Sequence, residues 1–233
     1  AEAHGWRGES AQAIERGEQA LPLLPSGGAE WCSTIGRLCE LSYRAGRNER
    51  LAQLLDDLRH ASQSKTAGHV HVGTMARVAI PLLIGGLYDL AETLFVQMER
   101  VEARVGKGDE ALNGVTHNAR AFRAVFLTRE LERGLHLFDA SANGYELAGD
   151  IRNGSRARVL SACVRVQLGD FGGAIPIFRS AIVDSERAGL PSVKALSQSY
   201  LGIALARQGS LDEARATGEQ AVAACNALED RLM

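Results

Sequence analysis

The strongest constraint on this chain is a helical hairpin motif that returns about every 40 residues. It is plainest over 195–230. Two segments there flank Gly209-Ser210. The first carries Leu201, Gly202, Leu205 and Ala206, and the second Leu211, Ala214, Ala221 and Val222. Apolar residues three and four apart share one face of an α-helix. Gly209 suits the residue after a helix end, where the backbone takes positive φ. Ser210 suits the cap of the next helix, and Asp212 and Glu213 sit where the helix dipole favours anions. One such hairpin cannot bury its own apolar face, so similar units should flank it.

They do. Small residues stand five and twelve positions after Gly209 (Ala214, Ala221) and after Gly169 (Ala174, Ala181, with Phe178 between them). Gly86 is followed by Tyr88, Ala91, Phe95 and Met98, Gly46 by Leu51, Leu55 and Leu58, and Gly8 by Ala13 and Ala20. Arg129 stands where a Gly is expected, ahead of Gly134, Phe138 and Ser141, so that hairpin is expected to turn with a cap of another kind. The marks at 8, 46, 86, 129, 169 and 209 lie 38, 40, 43, 40 and 40 residues apart. They divide the chain into repeats at 1–28, 29–65, 66–107, 108–149, 150–190 and 191–233. Ala91, Ala174 and Ala214, each five after its mark, are expected to be buried where paired helices touch most closely.

The periodicity predicts helices over 9–24, 30–45, 48–62, 70–84, 87–105, 110–128, 131–148, 151–168, 171–188, 193–208 and 211–228, after a stump at 1–7 anchored by Trp6. Pro81 should bend or end its helix early, whereas Pro176 falls in the first turns of its helix and is tolerated. About eleven helices and no strands make an all-α chain.

This pattern resembles the tetratricopeptide repeat (TPR). The resemblance rests on Leu201-Gly202, Gly209, Leu211, Ala214 and Ala221, on Gly86-Leu87-Tyr88-Asp89-Leu90-Ala91, and on Gly169-Asp170-Phe171-Gly172-Gly173-Ala174. It covers essentially the whole chain. A period near 40, against about 34 in the common form, is similar to the longer-helix variety of large bacterial signalling proteins and kinesin light chains. The resemblance implies a right-handed α-solenoid of antiparallel helix hairpins, forming a single array over 1–233. It also implies that the first helix of each hairpin lines a concave surface. Counting back from the turn marks puts Ile80, Leu83, Phe126 and Val159 there as an apolar floor, with Tyr43, Arg123 and Arg156 as polar contributors. Two readings of the apolar set stand: the floor of a binding groove, or the filling of seams between neighbouring repeats.

Charge nearly balances, with 26 Lys+Arg against 28 Asp+Glu, so no basic field speaks for nucleic acid. Lysine is confined to Lys65, Lys107 and Lys194, leaving Arg to carry the positive charge. That usage, with abundant Ala and Gly, points to a bacterial source. Cys32, Cys39, Cys163 and Cys225 form no C-x-x-C pair and are expected as reduced thiols in a cytoplasmic protein. The longest apolar run, 78–88, is too short to span a bilayer and is interrupted by Pro81 and glycines. The start at Ala1, without Met, suggests a fragment of a larger protein.

Motifs that carry chemistry are weak. His69 and His71 are two apart, so on a helix they diverge, and they are expected as solvated loop histidines. Cys32 and Cys39 read as small buried hydrophobes. Gly106-Lys107-Gly108 lacks the phosphate-loop pattern, and Asn153-Gly154-Ser155 reads as a chance sequon. No active site, metal or cofactor is implied. The expected function is therefore a non-catalytic protein–protein interaction scaffold or sensor segment of a larger bacterial regulatory protein. Its expected partner is a protein or peptide, an acidic amphipathic segment by the Arg edge, and self-association through exposed terminal repeats is open. The alternative is a peptide or small-ligand receptor domain of a TPR-type transcriptional regulator. That reading would favour Asn-rich inner helices, and only Asn113 and Asn118 come near them.

Overall fold

A computed structural model describes residues 10–61, 67–106 and 108–228. The stump at 1–7, the mark Gly8 and Lys107 lie outside the described residues. The described residues form eleven α-helices and no strand. They are α1 (Ser10–Ala20), α2 (Ala29–Arg44), α3 (Asn48–His60), α4 (Gly68–Ile84), α5 (Tyr88–Val105), α6 (Glu110–Arg123), α7 (Leu131–Leu147), α8 (Ile151–Leu168), α9 (Phe171–Arg187), α10 (Pro191–Gln208) and α11 (Leu211–Leu228).

The departures from expectation have local causes. The helix expected over 9–24 ends at Ala20 and tightens into a 3-10 turn, Leu21–Leu23, around Pro22. Pro81 does not end α4, which runs on to Ile84. The backbone bond that Pro81 forfeits would have gone to Arg77, an exposed residue whose carbonyl water can serve. The helix expected over 110–128 is α only to Arg123 and continues as a π-turn, Ala124–Thr128. Arg129, which follows it, takes φ 60, the sign that Gly46, Gly86, Gly169 and Gly209 take at their turns.

Most turns share one device. The N–H one residue past a positive-φ Gly donates to the carbonyl five residues before it, as in Arg47 to Ser42, Leu87 to Leu82, Asp170 to Arg165 and Ser210 to Leu205, at 2.8–2.9 Å. This bond satisfies carbonyls that a helix end leaves open. Gly149 and Gly189, between hairpins, do the same through Asp150 to Tyr145 and Leu190 to Ser185, both at 2.8 Å. In the second unit the turn is thus one and the same within and between hairpins. From Gly149 to Gly209 it recurs every 20 residues, half the period read from the sequence. Asp109, Asp150 and Asp170 cap the helices that follow them, accepting from the N–H of Leu112, Asn153 and Gly173.

The helices group into two compact units that divide between Leu127 and Thr128. In the first, α2 pairs with α3 and α4 with α5, while α2, α4 and α6 pack side by side. Small residues set that spacing: a Cβ on Gly36 would lie 2.8 Å from Thr74 Cγ2, and one on Gly73 would lie 3.3 Å from Leu112 Cδ1. In the second, α7 packs on α8, α9 on both α8 and α10, α10 on α8, and α11 on α10. Phe178, Val159, Ala174 and Leu205 lie in its core. Ala91 and Ala174 are fully buried, as expected. Ala214 is only half-buried: α10 covers it and, among the described residues, no further helix packs on α11 as α10 does on α9.

Candidate functional site

The residues expected on the concave face separate once placed. Leu83 and Val159 are each 0% exposed, so neither offers surface to a partner. Both fill seams between neighbouring helices, which the small residues draw together too closely to leave a floor. Arg123 is not a free edge cation. Its guanidinium pairs with Glu92, lies 3.6 Å from Glu99 and sits over the Phe95 ring at 5.1 Å. It braces α6 against α5. Phe126 is half-buried in the π-turn and stacks on Phe122, centroids 5.8 Å apart. Arg156 is exposed and, with Val159, belongs to the second unit.

Tyr43 and Ile80 survive as surface, both half-buried and both in the first unit. Tyr43 is in the last turn of α2, and its hydroxyl end lies so close to Gly85 that a side chain there would force the ring to shift. That contact joins the α2–α3 tip to the α4–α5 tip. Around it stand large apolar residues that sequence reasoning missed: Ile84 (49% exposed), Leu87 (38%), Tyr88 (36%) and, one turn into α5, Leu90 (41%). Their exposure follows from the turn. Gly85-Gly86 lets α4 end and α5 begin within a few residues, and the buried stripes of both helices start one turn inside. A signal was present: six apolar residues lie between 82 and 90, denser than one helix face can bury.

The charges beside this patch are mainly positive. Arg77 lies on α4 one turn before Ile80 and two before Ile84, is exposed and makes no ion pair among the described residues. Arg44 and Arg47 are exposed at the neighbouring tip, Arg44 tied to Glu40 at 3.0 Å. Asp89 is the carboxylate within the patch.

Other features of the first unit carry less. A cleft of about 520 Å³ opens between α1 and α3, but the Arg50–Glu18 ion pair at 2.5 Å lies across it. The pair's hydrogen bond holds the Glu18 carboxyl below its usual range. A second hollow, about 560 Å³, lies over α3 and α5, lined by side chains of both signs such as Arg59, Asp89, Glu92 and Arg100. His71 is not a solvated loop residue as expected. It is fully buried on α4, while His69 is exposed, the divergence their spacing requires. Its Nδ1 lies 3.9 Å from Cys32 Sγ. Burial lowers the imidazole pKa and pushes the Cys32 thiol up to about 11, so the two are a neutral pair and not an activated nucleophile. Burial likewise raises Cys39 to about 12, and Cys163 still further. All four cysteines are unpaired thiols. Among the described residues no three metal-ligating side chains converge, and no helix is long and apolar enough to cross a membrane.

Helical hairpins with a turn that recurs along most of the chain define an all-α, helical-repeat protein. The chain matches no protein-family model and no curated protein. Among solved structures it is similar to the crystal structure of BtubC (BKLC) from P. vanneervenii, with a TM-score of 0.63 over 97% of this chain and 92% of that one, at 14% identity. That likeness extends along nearly the full length of both chains and concerns the fold alone.

Proposed function

We propose that this chain is a TPR-like, non-catalytic binding scaffold of a bacterial cytoplasmic protein, and that it takes an acidic, amphipathic peptide segment on the joined tips of α2–α3 and α4–α5. The observation that carries the reading is the apolar patch of Ile84, Leu87 and Tyr88, held by the Tyr43–Gly85 contact, with exposed Arg77, which has no ion pair among the described residues, two turns before Ile84 on the same helix. An exposed apolar cluster with a polar edge is what a recognition surface requires. Guanidinium groups beside it orient a carboxylate through paired N–H donors. The convergence of titratable groups that catalysis needs is not supported by the neutral Cys32–His71 pair or by the thiols raised by burial.

The test is selection of helix-forming peptides from a displayed random library against the purified chain, followed by fluorescence-anisotropy titration of the winners. Selected peptides should carry Asp or Glu beside Leu or Ile at helical spacing. Their affinity should fall by about 1–3 kcal/mol in Leu87→Ala/Tyr88→Ala, and Arg77→Glu should weaken them in a salt-dependent way. Peptides that bind the double variant as tightly as the unaltered chain would move the site elsewhere.

A further inference from the structure

In the first unit, α2 and α4 run side by side from the joined tips downward, and one strip of surface follows their seam. Two close contacts fix the alignment. Tyr43 meets Gly85 at the tips, and two turns lower Gly36 meets Thr74, where a Cβ on the glycine would lie 2.8 Å from Thr74 Cγ2. Residues about forty apart therefore stand level: Arg37 with Arg77, Glu40 with Ile80, Arg44 with Ile84. The upper part of the strip is apolar, from Tyr43, Ile80 and Ile84. Two turns below Ile84 it turns positive. Glu40 is shared by Arg37 at 2.6 Å and Arg44 at 3.0 Å, so this trio keeps a net positive charge, and Arg77 makes no ion pair among the described residues. Pro81 adds a second feature at the level of Arg77. It has no N–H to give to the Arg77 carbonyl, so exposed Arg77 presents a guanidinium together with a carbonyl that lacks its usual helical donor.

We infer, resting on the peptide-binding reading above, that the bound segment is a helix laid in one direction, parallel to α4. Its N-terminal turn, carrying Asp or Glu, lies over Arg77, and its apolar residues two turns later lie on Ile84, Leu87 and Tyr88. The spacing comes from α4 itself. Arg77 and Ile84 are seven residues apart on one face, about 10.5 Å, which is the separation of residues seven apart on a helix laid alongside. Two independent observations then choose the direction. Carboxylates are favoured in the first turn of a helix by its dipole and disfavoured in the last, so acids that meet Arg77 stabilise the bound helix only at its N-terminal end. The first turn is likewise where the N–H groups of a helix lack acceptors, and the Arg77 carbonyl is an acceptor lacking a donor. A segment laid the other way would bring carbonyls to a carbonyl, and acids to the negative end of its own dipole.

The test uses the helix-forming peptides selected from the displayed library. In their sequences Asp and Glu should gather in the first turn, about seven residues ahead of Leu or Ile. A nitroxide attached to either end of one such peptide then reads its direction in methyl NMR spectra of the full chain. The N-terminal label should broaden the methyls of Val70, half-buried on α4 two turns before Arg77, and the C-terminal label those of Leu87 at the tip. Arg77→Glu should weaken the peptides by about tenfold, and Lys in place of their first-turn acid should restore binding to that variant. Arg100→Glu, the same change of charge on the exposed surface of α5, should leave them unaffected, which separates a local pairing from a change in net charge. Acids gathered after the apolar residues, or labels that exchange their targets, overturn the direction. A Lys peptide that fails to rescue Arg77→Glu overturns the pairing. Each of these results comes from peptides that bind and that lose affinity in Leu87→Ala/Tyr88→Ala, so the peptide-binding reading stands whichever is found. A library that yields no such peptide removes that reading, and this inference with it.

Discussion

Arg129 is the residue at which the repeat asks most of the chain. The hairpin turns need a left-handed backbone, and elsewhere glycine supplies it. Arg129 adopts φ 60 with a side chain in place. A Cβ in this region costs about 1–2 kcal/mol, while a Gly adds about 0.5–1 kcal/mol of unfolded-state freedom. Arg129→Gly should therefore stabilise the chain by up to about 1 kcal/mol, visible as a raised urea midpoint at unchanged slope. A lowered midpoint would mean that the Arg side chain contributes more than its backbone costs. His71 makes the second residue-scale case. Its imidazole is buried and its pKa lies below the ordinary value near 6.5. The unfolded chain takes up the proton at that ordinary value, and the folded chain resists it. Stability is therefore full above pH 6.5 and declines as the pH falls below it, by no more than about 1.4 kcal/mol per pH unit for one proton. His71→Leu should flatten the decline between pH 6.5 and 5, above the range in which the Glu18 and Asp170 carboxyls, both lowered, take up protons. An equal slope in the variant would assign the proton to another group.

At the scale of the element, the turn residue and the residue five after it set how closely helices approach. Ala174, on α9, is enclosed by α8 and α10, and Ala214, on α11, is covered by α10. Ala174→Arg should cost on the order of 3 kcal/mol or more, by overfilling the contact and burying a charge. Ala214→Arg should cost far less, because its side chain reaches solvent. Thermal unfolding of the two variants checks the contrast, and equal midpoints would mean the helix register is misassigned. The elements were largely legible in the sequence. Helix ends fell within a few residues wherever a Gly marked them, because the need for positive φ is local. Gly149 was passed over as the same turn although it is followed at five and twelve by Gly154 and Ser161, both buried. The 40-residue frame hid the 20-residue one. The π-turn at Ala124–Thr128 left no such trace, since its residues are ordinary helix formers and the extra residue per turn is settled by neighbours.

For the molecule as a whole, the sequence determined the class of architecture. Periodic apolar residues, glycines at fixed intervals and the absence of strand patterning admit hairpin upon hairpin of α-helix and little else. These are short-range signals, each carried within a turn or two of chain. Which apolar residues face water was decided only by tertiary structure. Leu83 and Ile84 are neighbours on one helix, yet the first is fully buried and the second half open. Val159 and Ser199 occupy equivalent places in successive hairpins, yet the first is fully buried and the second half-buried. Helical periodicity gives the direction of a side chain. How far the next helix covers it depends on how closely the two axes approach, and that distance is set by residues remote in sequence, such as Gly36 against Thr74 and Gly73 against Leu112.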